Sequence, residues 1–195
     1  VNRITNCLLL LLVMGTVSSS FADDAPKDGE GKTTEVKLKD LTLKIPATWK
    51  LKPSTSSMRL ATYIIPAAKG DSDAGELTIF NFAGGGGKVT DNISRWIGQF
   101  SGEGRTSKVT KGKAGDNDYY FANITGTYKK PIGPPFLRKT ESAPGYRMTG
   151  VILVLQGKGV YYLKLAGPDA TIKAQAAAFR KSFGGNSDGE SDYEI

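Results

Sequence analysis

Ile93, Trp96, Ile97 and Phe100 recur at i, i+3, i+4 and i+7, the spacing that gathers apolar side chains on one face of an α-helix. The helix they predict follows four consecutive glycines, Gly84, Gly85, Gly86 and Gly87, and these follow an apolar run over residues 75–82. Thr90 or Asp91 is expected to cap the helix, because a side-chain oxygen there would accept from an orphaned backbone N–H. Upstream, Val36, Leu38, Leu41, Leu43 and Ile45 predict two short strands or one bulged strand, ended by Pro46 and followed by Trp49. Lys37 and Lys39 are expected on its solvent face, since strand side chains alternate. Residues 58–65 form the next strand, stopped by Pro66, and within 76–82 Leu77, Ile79 and Asn81 share a face.

Beyond the helix, residues 106–113 alternate weakly and residues 119–128 read as a clear strand. Pro131, Pro134, Pro135 and Pro144 mark residues 129–145 as a long loop rather than a ladder strand. Residues 147–156 and 160–166 form a hairpin around Gly157, Lys158 and Gly159. The run from Val151 to Leu155 is apolar on both faces, which predicts a central, doubly covered strand. Gly167, Pro168 and Asp169 open a last helix with Ile172, Ala176, Phe179 and Phe183 on its buried face, and Gly184 and Gly185 end it. Strands, helix, strands, helix predict an α+β fold, an antiparallel sheet with packed helices.

The first 22 residues change the picture of where the chain works. Arg3 is the only charge before Asp23, residues 8–13 are an apolar core, and Ser20, Phe21 and Ala22 suit a signal-peptidase site, so cleavage is expected after Ala22. The apolar run is shorter than a transmembrane span requires. Cys7 precedes the apolar core, where a lipobox cysteine would follow it. Val1 suits an alternative bacterial start codon, and the destination is the periplasm or the exterior. The expected organisation is a signal peptide (1–22), a disordered leader (23–34), one α+β domain (35–184) and a disordered acidic tail (185–195).

Charge narrows the partners. Taking Arg3 from the 26 Lys+Arg, and Asp188, Glu190, Asp192 and Glu194 from the 19 Asp+Glu, leaves 25 basic against 15 acidic groups in residues 23–183, a net +10. Outside the cytoplasm a basic body points to anionic lipid headgroups, glycan or an envelope protein rather than nucleic acid. Lys108, Lys111 and Lys113 form one basic cluster. Lys129, Lys130, Arg138 and Lys139 form a second, interleaved with Phe136 and Tyr146, which makes the proline loop a candidate docking surface. Arg95, beside the apolar helix face, and the glycine run are further candidates for partner contact.

Catalytic chemistry is sparse. The chain has no histidine and its one cysteine leaves with the signal peptide, so imidazole- and thiol-based catalysis and zinc, copper or iron sites are not expected. The glycine run fails the phosphate-loop pattern, because Val89 stands where a hydroxyl is needed and Phe82 where the first glycine belongs. Residues 185–189 match G-x-S-x-G but lack a preceding strand and a histidine base. Asp71, Asp73 and Glu76, and separately Asp116, Asn117 and Asp118, are oxygen-rich but lack EF-hand spacing, so turn chemistry explains them better and no cofactor or metal is expected.

Ile45-Pro46 with Trp49, Ser57-Met58-Arg59, Glu76-Leu77, the glycine run, the segment 92–100 around Arg95-Trp96 and the segment 162–168 resemble a family of exported bacterial proteins of unknown function. The element order resembles the PsbP-like fold, shared by an extrinsic subunit of photosystem II and a nuclear-import factor that binds the GTPase Ran. Both resemblances imply a binding or scaffolding protein, and neither supplies catalytic residues. The expected function is therefore an exported, non-enzymatic binding module. Two rivals stand beside it. A carboxylate-pair envelope hydrolase would set two acids, Asp91 and Glu76 being the nearest to hand, across a cleft. A carrier of an apolar ligand would hold an unfilled cavity lined by Trp96 and Phe100.

Overall fold

In the computed structural model, residues 31–53, 58–82, 86–133 and 135–195 are described; the expected signal peptide and most of the leader lie outside them. Strands β1 (Thr33–Leu38) and β2 (Leu41–Pro46) form a separate hairpin. Lys39 occupies its turn at φ 56°, so it does not share a strand face with Lys37 as the alternation suggested. The remaining strands are β3 (Lys50–Lys52), β4 (Arg59–Ile65), β5 (Gly75–Asn81), β6 (Thr106–Ala114), β7 (Asn117–Pro131), β8 (Thr140–Leu155), β9 (Gly159–Pro168) and β10 (Ser191–Asp192). They build one antiparallel sheet in the order β10-β6-β7-β8-β9-β5-β4-β3. The fold is α+β.

Strand alternation divides the core into two layers. Leu77, Ile79, Val151, Leu153, Leu163, Leu165, Tyr119 and Phe121 point to one face, where β2, Trp49 and helix α2 (Asp169–Ser182) cover them. Ile172 and Phe179 of α2 are fully buried there, each contributing roughly 1.5–3 kcal/mol of apolar burial. The other face carries Ala122, Ile124, Met148 and Ile152, packed against Ile93 and Trp96 of helix α1 (Val89–Ile97) and against Phe100 just beyond it. The Trp96 ring lies directly on Gly150, where a Cβ would collide with it.

Several local expectations change. Helix α1 begins one residue before Thr90, with Lys88 at its N-cap and no side-chain cap, so neither Thr90 nor Asp91 caps it. Asn92 instead turns back, its Nδ2 donating to the carbonyls of Gly86 and Lys88 at 2.9 Å each. Helix α2 also lacks a local cap, because Pro168 at its N-cap has no side-chain oxygen. Asp71, from the β4–β5 connection, takes that role by accepting from the Thr171 N–H at 2.9 Å.

The proline-rich segment is largely ladder rather than loop. Lys129, Lys130 and Pro131 pair with Ser142, Glu141 and Thr140. A register shift between Gly126 and Tyr128 sets Pro144 and Gly145 as a bulge opposite the single residue Thr127, and Pro131 ends its strand. Bulges and strand ends are the positions where proline's missing N–H costs no ladder bond.

The acidic tail is folded too. Residues 191–192 pair with β6, and the Tyr193 N–H donates to the Val109 carbonyl at 2.9 Å. Glu190 turns inward, with its side chain 7% exposed, to meet Arg180 at 2.7 Å. Composition marks the tail as polar, but its one inward carboxylate has a cation, two hydroxyls and an open sheet edge to dock on.

Candidate binding site beneath the long hairpin

Helix α1 packs mainly on β7 and β8. Over β4, β5 and the Lys164 end of β9 the same sheet face carries no helix, and its alternate positions turn polar: Thr62 on β4, Glu76 and Thr78 on β5, Lys164 on β9. The bulge past Gly126 bends the distal β7–β8 hairpin over this bare strip. The result is a cavity of about 330 Å³. Thr78, Glu76, Lys164 and Ala166 line it from the sheet, Tyr128, Lys130, Pro131 and Tyr146 from the hairpin, and Arg59 and Phe80 from β4 and β5.

The charges in this groove are unevenly matched. Lys164 Nζ donates to Gln99 Oε1 at 2.6 Å and to Tyr128 Oη at 2.9 Å, both neutral acceptors. Among the described residues no carboxylate lies within ion-pair distance of it. Burial, with repulsion from Arg59, pushes the Lys164 ammonium down to about 8, against a partial opposing pull from Glu76. Glu76 is itself paired with Lys52 at 3.5 Å. Burial first, and then the charge of Glu76, pushes the Tyr128 phenol up to about 12.

Lys130, on the hairpin wall, is by contrast saturated, 3.2 Å from both Asp73 and Glu141. Burial works against its charge, but those carboxylates outweigh it and hold the ammonium above its ordinary value. Tyr146 Oη donates to Asp73 at 2.5 Å, so Asp73 ties the β4–β5 connection to both strands of the hairpin. That hydrogen bond, with Lys130, holds the Asp73 carboxyl below its usual range.

The sequence-derived candidates fall on three places. Phe136, Arg138 and Lys139 sit at the hairpin tip, where Phe136 is 80% exposed and Leu137 and Ile132 join it as exposed apolar side chains. Arg138 adopts φ 50°, in the short stretch that turns the chain back into β8. Lys129 lies at the base of the hairpin extension, its N–H donating to the Gln99 carbonyl at 2.8 Å and its Nζ to the Gly98 carbonyl at 3.4 Å. Lys130 belongs to the groove. Arg95, exposed on α1, donates to Asn92 Oδ1 at 3.0 Å and so joins the fastening of Gly86. Gly86 and Gly87 take φ 64° and 91°, and a Cβ on Gly86 would strike Tyr162. Gly84 and Gly85 lie outside the described residues.

Of the oxygen-rich candidates, Asp71, Asn117 and Asp118 have structural partners. Asp71 caps α2, Asp118 pairs with Lys113 at 3.2 Å, and Asn117 Oδ1 accepts from the Gln156 N–H. Among the described residues no group of three acidic, histidine or cysteine side chains is placed to hold a metal. Glu76 is the one carboxylate lining the groove, with Asp91 exposed in the first turn of α1. Trp96 and Phe100 are packed core and do not line the groove.

Lys164, Arg59, Tyr128 and Tyr146 were not legible as a group, since they come from four different strands. The available signal was Lys164 itself, a lysine at an inward position of the apolar run from Tyr161 to Ala166.

No protein-family model matches the chain, and no curated protein matches it significantly. Among solved structures it is similar to cyanobacterial PsbP (CyanoP) from Synechocystis sp. PCC 6803, known from a solution structure. The two chains are 11% identical, with a TM-score of 0.48, over 86% of this chain and 96% of that one. Among the described residues no helix is long and apolar enough to cross a membrane.

Proposed function

We propose that this chain is an exported, non-enzymatic binding module that docks on anionic lipid headgroups of the cell envelope through the tip of its β7–β8 hairpin. One observation carries the reading: at the tip, exposed Ile132, Phe136 and Leu137 are interleaved with Arg138 and Lys139, which make no ion pair among the described residues. A bilayer interface offers both things such a tip lacks. Hydrocarbon receives the three apolar side chains, and anionic headgroups attract each nearby cation by about 1 kcal/mol. A glycan would match the cations but gives Ile132 and Leu137 little to bury against, which favours lipid. The apparent signal sequence and the resemblance to exported proteins support placement outside the cytoplasm.

Co-sedimentation with vesicles tests this. Binding to phosphatidylglycerol-containing vesicles, absent with pure phosphatidylcholine and fading between low and physiological salt, is the expected result. The double substitution Arg138→Ser/Lys139→Ser and the single Phe136→Ser should each weaken it. A protein that stays in the supernatant at low salt with anionic vesicles would refute the proposal.

A further inference from the structure

We infer that the groove beneath the hairpin is a binding site for an organic anion, a phosphate or carboxylate head on an apolar body, held between Arg59 and Lys164. The inference goes beyond docking by the tip and rests on different residues. Arg59 and Lys164 are two of the three cations that line one cavity of about 330 Å³, a size at the lower end of the range for small-ligand pockets. Neither has a counter-ion among the described residues. Lys164 is half-buried and hydrogen-bonded only to the neutral Gln99 and Tyr128. The Arg59 guanidinium, 5.8 Å from the Phe80 ring centre, makes no hydrogen bond within the described residues.

A desolvated ammonium satisfied by neutral acceptors still lacks its compensating charge, and a second cation nearby makes that deficit worse. An anion seated between them removes both penalties at once, which the one lining carboxylate does not, since Glu76 is already engaged with Lys52. Tyr128 Oη accepts from Lys164, and no described residue accepts from Tyr128, so its own proton is free to point at the same anion. The rest of the lining explains the apolar body: Phe80, Ile64, Pro131, Ala166 and the ring of Tyr146 offer hydrocarbon and aromatic surface around the charged pair. Lys130 adds no unpaired charge, because Asp73 and Glu141 already hold it.

Isothermal titration with four probes tests the inference: phenyl phosphate, benzoate, dihexanoylphosphatidylglycerol kept monomeric, and inorganic phosphate. Saturable binding of at least one organic anion is expected, with a roughly tenfold or greater loss in Arg59→Gln and in Lys164→Met, as for removal of a charge-assisted hydrogen bond. The tip variant Phe136→Ser/Arg138→Ser/Lys139→Ser should bind the same probe unchanged, which separates this site from the docking surface. Preference for the monomeric lipid would identify an envelope headgroup as the source, and preference for phenyl phosphate or benzoate a free metabolite; both outcomes support the site. Arg59 is exposed, so Arg59→Gln probes the claim without disturbing the core. No saturable binding of any organic probe, binding that survives both substitutions, or inorganic phosphate binding as tightly as the organic anions would overturn the inference.

Discussion

Lys164 sets a cost and a use against each other within one side chain. Its ammonium is pushed down to about 8 from 10.5, chiefly by burial. A cation with a lowered native value binds its proton more tightly in the unfolded chain, so stability is depressed below pH 8 and rises as pH climbs from 8 towards 10.5. Lys164→Met should therefore stabilise the protein at pH 7. The orphaned Gln99 and Tyr128 partners offset part of the gain, leaving a net on the order of 1 kcal/mol. Thermal melts at pH 7 and pH 10 check both the sign and its disappearance at high pH. Gly150 makes the opposite case. Gly150→Ala drives a methyl into the Trp96 ring, and overpacking of this kind costs roughly 1–3 kcal/mol, measurable by denaturant unfolding. Trp96 was legible as core from its helical spacing. Its seat on Gly150 was not, because the pair lies 54 positions apart and glycine leaves no mark in a hydrophobic pattern.

The tail and the long hairpin each do more than their composition suggests. Glu190 accepts from Arg180, Thr110 and Tyr119 and locks the tail across the end of α2 and the β6 edge. Burial alone would raise its carboxyl, yet those three donors outweigh burial and hold it below the ordinary 4.5. That stabilisation is present above the unfolded carboxyl value and is lost as pH falls through the native one. Glu190→Ala should cost roughly 3 kcal/mol near neutrality, as for other broken buried pairs, and the gap to wild type should close below pH 4.5. Guanidinium unfolding at pH 7 and pH 3.5 reads both. The positions of most strands from β4 to β9 were legible from alternation and turn residues, which act locally; their order across the sheet was not. What escaped were features settled by distant partners: Asp71 capping α2 from 100 residues away, Arg180 receiving the tail, and a bulge excusing Pro144.

At the scale of the whole molecule, charge and cover are both lopsided. The basic strand β6, beside the short edge strand β10, is largely answered: Lys108 meets Asp192 at 3.0 Å, Lys113 meets Asp118, and Lys111 lies over the Tyr120 ring. These contacts are exposed and add little stability, but they leave less of the excess charge unanswered on that edge. In the distal part of the hairpin, between Lys129 and Lys139, Lys130 is the one cation that is ion-paired among the described residues. One sheet face is sealed by α2 and the β1–β2 hairpin. The other is sealed by α1 mainly over β7 and β8, so the long hairpin overhangs bare sheet and projects an apolar, basic tip. The proposed docking on the envelope draws on that asymmetry.

The most direct measurement uses Phe136→Trp as a reporter at the tip, against the two native tryptophans, Trp49 and Trp96, which are buried. On titration with phosphatidylglycerol vesicles at low salt, emission from the introduced indole should shift to the blue and become accessible to lipid-borne quenchers. Both changes should be lost in high salt and in the Arg138→Ser/Lys139→Ser background. Emission that stays at its solvent-exposed wavelength while the protein sediments with the vesicles would show that another surface makes the contact, and would contradict docking through the hairpin tip.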